Sequence, residues 1–183
     1  MSLSPPVLES PRVRLRPLGG TDVDALYALY SDARVTRHWS FPAWTRRAQA
    51  EDYLALRRCL LPPSVYCWAI AEVDDDQLIG TITLFVLGDT APYGEIGYAL
   101  RVDRQGRGLA SESLRLAIRH AFDTLGLGRI EADVDPSNEA SWRLLERLGF
   151  HREAVLHDRC RRGDEIGDAA IYGLQRANWF ASR

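Results

Sequence analysis

An α+β fold around a mixed central sheet, in a single domain over residues 1–183, is what this sequence predicts. Three observations carry it. Strand-like runs fill the middle of the chain at 65–73 (VYCWAIAEV), 78–87 (LIGTITLFVL) and 94–102 (GEIGYALRV). Two helical patterns precede them, and a strand, helix, strand, helix and strand pair follows. No linker, repeat or low-complexity tract interrupts that order. The count is about seven strands and about four helices.

The elements follow in turn. Val13 and Leu15 alternate with Arg12, Arg14 and Arg16, a half-buried first strand that Pro17 ends. Thr21 with Asp24 reads as an acidic variant of a capping box, opening a helix that carries Val23, Leu26, Tyr27 and Tyr30. Residues 36–44 (TRHWSFPAW) are a loop, and a second helix runs from about Thr45 to Leu61, stopped by Pro62 and Pro63. Asp74 to Asp76 turn the chain between the second and third strands. After the fourth strand, Ala110, Leu114, Ala117, Ile118, Ala121, Phe122 and Leu125 form one apolar stripe, ended by Gly126 and Gly128. A fifth strand covers 129–135. Asn138 caps a helix that buries Trp142, Leu145 and Leu148, with Gly149 past its end. Two strands, about 150–160 and 167–175, flank a turn at Arg162, Gly163 and Asp164.

Composition narrows the class. Apolar residues make up 46% and charged residues 26%, as in a globular domain. A net charge of −2 argues against a nucleic-acid binder. Cys59, Cys67 and Cys160 have no paired spacing, which fits a reducing compartment. No apolar run approaches a membrane span and the start has no signal pattern, so a cytoplasmic protein without membrane contact is expected. His38, His120, His151 and His157 show no metal-ligand spacing, so no metal is expected.

The stretch from Arg104 to Ser113 (RQGRGLASES) stands between a strand and a helix. A helix start exposes unpaired N–H groups and the positive end of the helix dipole, and small residues let an anion approach them. A phosphate cradle is one reading and a tight turn the other. No Gly-Lys-Ser/Thr follows, and Gly106-x-Gly108 lacks the third glycine or alanine of a dinucleotide fingerprint.

Gln105-x-x-Gly108-x-Ala110 resembles the Q/R-x-x-G-x-G/A signature of the GNAT acetyltransferase superfamily. Asn138 to Phe150 (NEASWRLLERLGF) resembles its N-x-x-S/A…G-F block, and the opening SPRVRLRPL resembles the branch of RimJ/RimL-type ribosomal-protein acetyltransferases. The resemblance covers nearly the whole chain. It implies that the fourth and fifth strands splay apart around the pantetheine arm of acetyl-CoA, the acetyl donor. By position, the backbone of Leu100 and Val102 would bond the arm. Gln105, Gly106, Arg107, Gly108, Leu109 and Ala110 would hold the pyrophosphate, and Asn138 would contact the cosubstrate. Arg104 and Arg107 either add charge there or form a solvated face.

Acetyl transfer to an amine requires a proton acceptor for the amine, a stabilised oxyanion and a protonated leaving thiolate. Glu95, ten residues before Gln105, is spaced like the base glutamate of the histone-acetylating branch; otherwise it is an ordinary strand carboxylate. Many relatives protonate the thiolate with a Tyr seven residues after the motif Asn, where this chain has Leu145. Ser141 is the remaining hydroxyl. Trp39, Phe41 and Trp44 either cover the sheet or form an aromatic wall for the acceptor. The implied activity is N-acetyl transfer to a protein N-terminus or a small amine. The alternative is a CoA-binding module without chemistry. A homodimer is compatible with either.

Overall fold

Two central strands carry side chains buried on both faces, which fixes them in the middle of the structure. The computed structural model describes residues 4–60, 62–162 and 165–181. In it β3 (Val65–Glu72) and β4 (Leu78–Leu87) are buried over most of their length. They pair antiparallel, joined by a tight turn at Asp74–Asp76. Arg14 and Arg16 of β2 (Val13–Pro17) both bond the Asp76 carboxylate, tying that turn to the next strand. A two-residue strand, β1 (Leu8–Glu9), pairs with β2. It is too short to show a period, which is why the sequence does not announce it.

Among the described residues the sheet has eight strands, close to the seven or so expected, in the order β1-β2-β3-β4-β5-β6-β8-β7. β5 is Tyr93–Leu100, β6 Arg129–Val134, β7 His151–Arg162 and β8 Glu165–Gln175. Every pairing is antiparallel except β5 with β6. That parallel pair holds at only two rungs, Gly94 with Ile130 and Glu95 with Glu131. Beyond Glu95 the two strands diverge, as the resemblance implied. The turn expected at Gly163 and Asp164 lies outside the described residues.

One sheet face packs on α4 (Leu109–Arg119) and α5 (Glu139–Arg147); the core there includes Trp68, Ile82, Ile96, Ile118, Leu145 and Phe150. The other face meets α1 (Val23–Tyr30) and α3 (Ala48–Cys59) through Leu26, Tyr30, Trp44, Ala50, Ala69 and Ala99. The apolar stripe of α4 drives the first contact, each fully buried Leu or Ile contributing roughly 1.5–3 kcal/mol. A five-residue π turn, His120–Thr124, continues α4 towards Gly126, whose φ of +70° turns the chain. Two short helices, α2 (Ala33–Thr36) and α6 (Arg176–Ala181), carry no amphipathic period long enough to read.

Several expected boundaries shift, each for a visible reason. Thr21 and Asp24 do not cap α1. Asp22 stands at the N-cap, and its carboxylate closes the preceding turn rather than the helix, accepting from the Gly19 N–H at 2.7 Å and from both terminal nitrogens of Arg16 at 2.8 Å. α3 begins at Ala48 rather than near Thr45, because the Gln49 side chain accepts from the Thr45 and Arg46 N–H groups and closes a turn there. β5 stops at Leu100, so Val102 is not a strand residue. The chain tightens into a single 3₁₀ turn over Val102–Arg104, and the Val102 carbonyl accepts from the Gln105 N–H.

Candidate active site

Where β5 and β6 part, a cleft of about 690 Å³ opens between β5, the start of α4, the start of α5 and the segment after α2. Its floor is built from β5. Residues Ile96, Tyr98 and Leu100 face α4 and α5, while Glu95, Gly97 and Ala99 face α1 and α3, since alternate residues of a strand point to opposite sides. Gly97 has open space where a side chain would stand.

One wall is the first turn of α4. Gly108 is its N-cap, with φ +80°, and no side chain bonds the turn's N–H groups. Gly106 also has φ +74° and nothing within 4 Å of a would-be side chain. The backbone is therefore bare on the cleft side, and only glycine takes these conformations cheaply. The loop is braced from outside. Arg12 donates to the Arg107 carbonyl at 3.0 Å and to the Glu112 carboxylate at 2.7 Å. The Gln105 side chain donates to the Leu100 carbonyl at 2.9 Å, pinning the loop to the end of β5. These features fit the pyrophosphate of an acyl-CoA: unpaired N–H groups at the positive end of an eleven-residue helix, unscreened by side chains.

The opposite wall is α5. Asn138 caps it, its side chain accepting from the Ser141 N–H at 3.2 Å. The Ser141 hydroxyl lies 2.8 Å from the Tyr98 hydroxyl, so the two form one pair across the cleft. Burial pushes the Tyr98 phenol up to about 12, so it stays protonated and available as a donor. Leu145 is fully buried and offers nothing to the cleft. Tyr98 is the residue that sequence reasoning missed. The only signal for it was the strand alternation that places Tyr98 and Ile96 on the α5 side.

Of the other expected site residues, Leu100, Gln105, Gly106, Gly108, Leu109, Ala110, Asn138, Ser141 and Trp39 line the cleft together. Val102 instead borders a separate, smaller hollow beside α1 and α2. Arg107 is exposed and enters the loop through its backbone carbonyl. Arg104 lines the cleft but is paired with Glu72 at 2.9 Å and Asp103 at 2.7 Å. Phe41 and Trp44 pack on Tyr30, with ring centroids 5.7 and 4.7 Å away, and so cover the sheet. Trp39 packs there at 5.6 Å as well and still reaches the cleft.

Glu95 stands at the last paired rung, at the closed end of the divergence. Its carboxyl is raised by packing around it and by the like charges of Asp133 and Glu131, against which Arg159 works. Asp133 is raised too, by burial, again opposed by Arg159. Three carboxylates on the α1 and α3 side of the strands thus favour a cationic visitor, and two of them, Glu95 and Asp133, hold protons more tightly than usual. Among the described residues no group of three or more His, Cys, Asp or Glu side chains could hold a metal ion, and no helix is long and apolar enough to cross a membrane.

A mixed sheet that opens between two parallel strands, with a bare helix start on one side and paired hydroxyls on the other, defines a protein suited to an acyl-CoA. Residues 12–151 match the family described as Acetyltransferase (GNAT) domain. The chain is 32% identical over 170 residues to the uncharacterized N-acetyltransferase YoaA of Bacillus subtilis, covering 92% of this chain and 96% of that one. It is 29% identical over 121 residues to the [Ribosomal protein uS5]-alanine N-acetyltransferase of Escherichia coli, covering 66% and 62%. Its fold superposes on Mycobacterium smegmatis RimJ, solved in complex with CoA-disulfide, with a TM-score of 0.84 at 20% identity over 97% and 95% of the chains. The chain belongs to the GNAT acetyltransferase family and is an acetyl-CoA-dependent N-acetyltransferase.

Proposed function

We propose that the acceptor is a primary amine that arrives as an ammonium from the α1 and α3 side of the sheet, and that the α-amine of a protein N-terminus is the leading candidate. The observation that carries this reading is the Glu95, Glu131 and Asp133 group at the closed end of the strand divergence, facing away from α4 and α5. The similarity to the uS5-alanine enzyme supports a RimJ/RimL-like protein acceptor; the acidic group serves a small amine as well. In this reading Glu95 takes the first proton from the ammonium. The pyrophosphate lies on the N–H groups from Gly106 to Ala110, and the arm runs past Leu100 between the parted strands. Ser141, hydrogen-bonded to Tyr98, gives a proton to the departing sulfur.

The test is release of free thiol from acetyl-CoA over two acceptor sets, peptides with free N-termini and small amines and polyamines. Faster turnover, by kcat/KM, on short peptides led by alanine or serine supports the protein acceptor. Turnover confined to small amines overturns it.

A further inference from the structure

His38 lies two residues past α2 and lines the cleft beside Trp39 and across from Tyr98 and Ser141. Its Nδ1 is 2.8 Å from Oδ2 of Asp135, a buried residue just past the end of β6. The other oxygen of Asp135 accepts from the Ser137 N–H at 2.9 Å and from the Ser137 hydroxyl at 2.8 Å. The carboxylate is therefore held at both oxygens. An ionised carboxylate only accepts hydrogen bonds, so Nδ1 carries the ring hydrogen and Nε2 of the neutral ring is left as a lone-pair acceptor. Nε2 makes no hydrogen bond among the described residues.

An amine that arrives as an ammonium has two protons to lose: its nitrogen starts with three hydrogens and ends, as an amide, with one. A single carboxylate at Glu95 accounts for the first. The second leaves as the C–N bond forms, when the nitrogen becomes acidic. We propose that His38 takes this second proton on Nε2 and that Asp135 is its positioning residue, holding the tautomer and stabilising the imidazolium. As the C–N bond forms and the C–S bond breaks, the nitrogen's proton passes to His38 and the sulfur gains one from the Ser141 side. Of the two protons taken from nitrogen, one is balanced by the thiol and one passes to solvent. The inference rests on direct attack of the amine on the thioester in this cleft.

The charged groups around His38 are Asp135 from the end of β6, Arg34 and Arg37 from its own segment, and Arg104, Arg143 and Arg147 across the cleft. The arginines keep their charge throughout the working range. A limb on the acid side of the pH profile that depends on His38 therefore reports this imidazole.

The experiment compares kcat and kcat/KM for the best acceptor of the amine screen, from pH 5.5 to 9, in wild type, His38→Gln, His38→Ala, Asp135→Asn and Glu95→Gln. CoA binding is followed by thermal shift in each. His38→Gln is expected to lose about 10²-fold or more in kcat, to keep the CoA shift, and to lose one limb on the acid side. Added imidazole restores part of the activity to His38→Ala. Asp135→Asn falls in kcat with CoA binding retained. Wild-type kcat with the limb intact in His38→Gln overturns the proposal. So does a loss that comes with a lost CoA shift and no rescue by imidazole, which assigns His38 to packing. Glu95→Gln keeps the two assignments apart. A loss there with none in His38→Gln removes His38 and leaves Glu95 standing; a loss in His38→Gln with none in Glu95→Gln does the reverse.

Discussion

Glu95 and Ser141 act, in this account, on opposite sides of one strand, because Glu95 and Tyr98 are three residues apart on β5 and so face opposite ways. In the proposed mechanism the base works on the amine's side and the hydroxyl pair on the sulfur's side. Glu95→Gln keeps the size and loses the proton acceptor, so activity near neutral pH should fall by about 10² to 10⁴-fold with CoA binding retained. The loss should shrink at high pH, where more of the free amine is already deprotonated. The raised carboxyl of Glu95 adds a sign: the residue is protonated and idle to a higher pH than an ordinary glutamate, so wild-type activity should climb with pH through that range. Ser141→Ala and Tyr98→Phe should each lower turnover with CoA affinity largely unchanged, read by steady-state kinetics beside CoA thermal shifts. Full activity in both variants would leave the sulfur to be protonated by water. Motif spacing was enough to make Glu95 and Ser141 candidates. Tyr98 could not be paired with Ser141 that way, because their 2.8 Å contact spans 43 residues of chain.

At the scale of elements, two features shape the cleft: a strand pair that stops after two rungs and a helix that begins on bare glycine. The strand–Gly–helix order was plain in the sequence, since glycines and small residues between a strand and an apolar stripe have few other uses. The end of β5 was not. Arg101 to Arg104 tighten into a turn closed by the Arg104 N–H to the Arg101 carbonyl at 3.0 Å, with Asp103 bonding both arginines. That moves Val102 out of the strand, and no hydrophobic period marks it. Gly108→Glu would add a negative charge at the helix start, with its Cβ 3.4 Å from an Arg12 guanidinium nitrogen, and force a non-glycine residue to φ +80°, at a cost of about 1–2 kcal/mol. The variant should remain folded by circular dichroism and lose the rise in melting temperature that CoA gives wild type by mass action. Leu145→Tyr tests the other wall. A tyrosine at this fully buried site overfills the core, so it should destabilise by about 1–3 kcal/mol in urea unfolding without raising turnover.

For the whole molecule, α4 and α5 were legible because each carries an apolar stripe, whereas β1, α2 and α6 are too short for any period to show. The buried interior also sets a pH response. His120 sits in the π turn after α4, against the rings of Tyr66 and Trp68 at 5.5 and 5.8 Å, with its Nε2 buried and unbonded. Burial lowers its pKa, so the folded state keeps it neutral while the unfolded chain protonates it near the ordinary value of about 6.5. As pH falls below that value the unfolded state binds a proton the folded state refuses, and stability falls until the folded pKa is also passed. Glu95 and Asp133, whose carboxyls are raised, work in the opposite direction at lower pH. The difference between wild type and His120→Phe isolates the histidine: the variant's unfolding free energy should lose less between pH 7 and pH 5.5. Equal slopes would mean that His120 reaches solvent.

The proposed function requires amine acetylation in the cleft between the parted strands, with acetyl-CoA anchored at the start of α4. Thiol release from acetyl-CoA, measured with and without an amine panel in wild type and in folded Gly108→Glu, tests it most directly. Amine-dependent release is expected in wild type and should disappear in Gly108→Glu together with the CoA thermal shift. Wild type that binds CoA yet releases no thiol with any amine would contradict it, as would a Gly108→Glu protein that turns over normally.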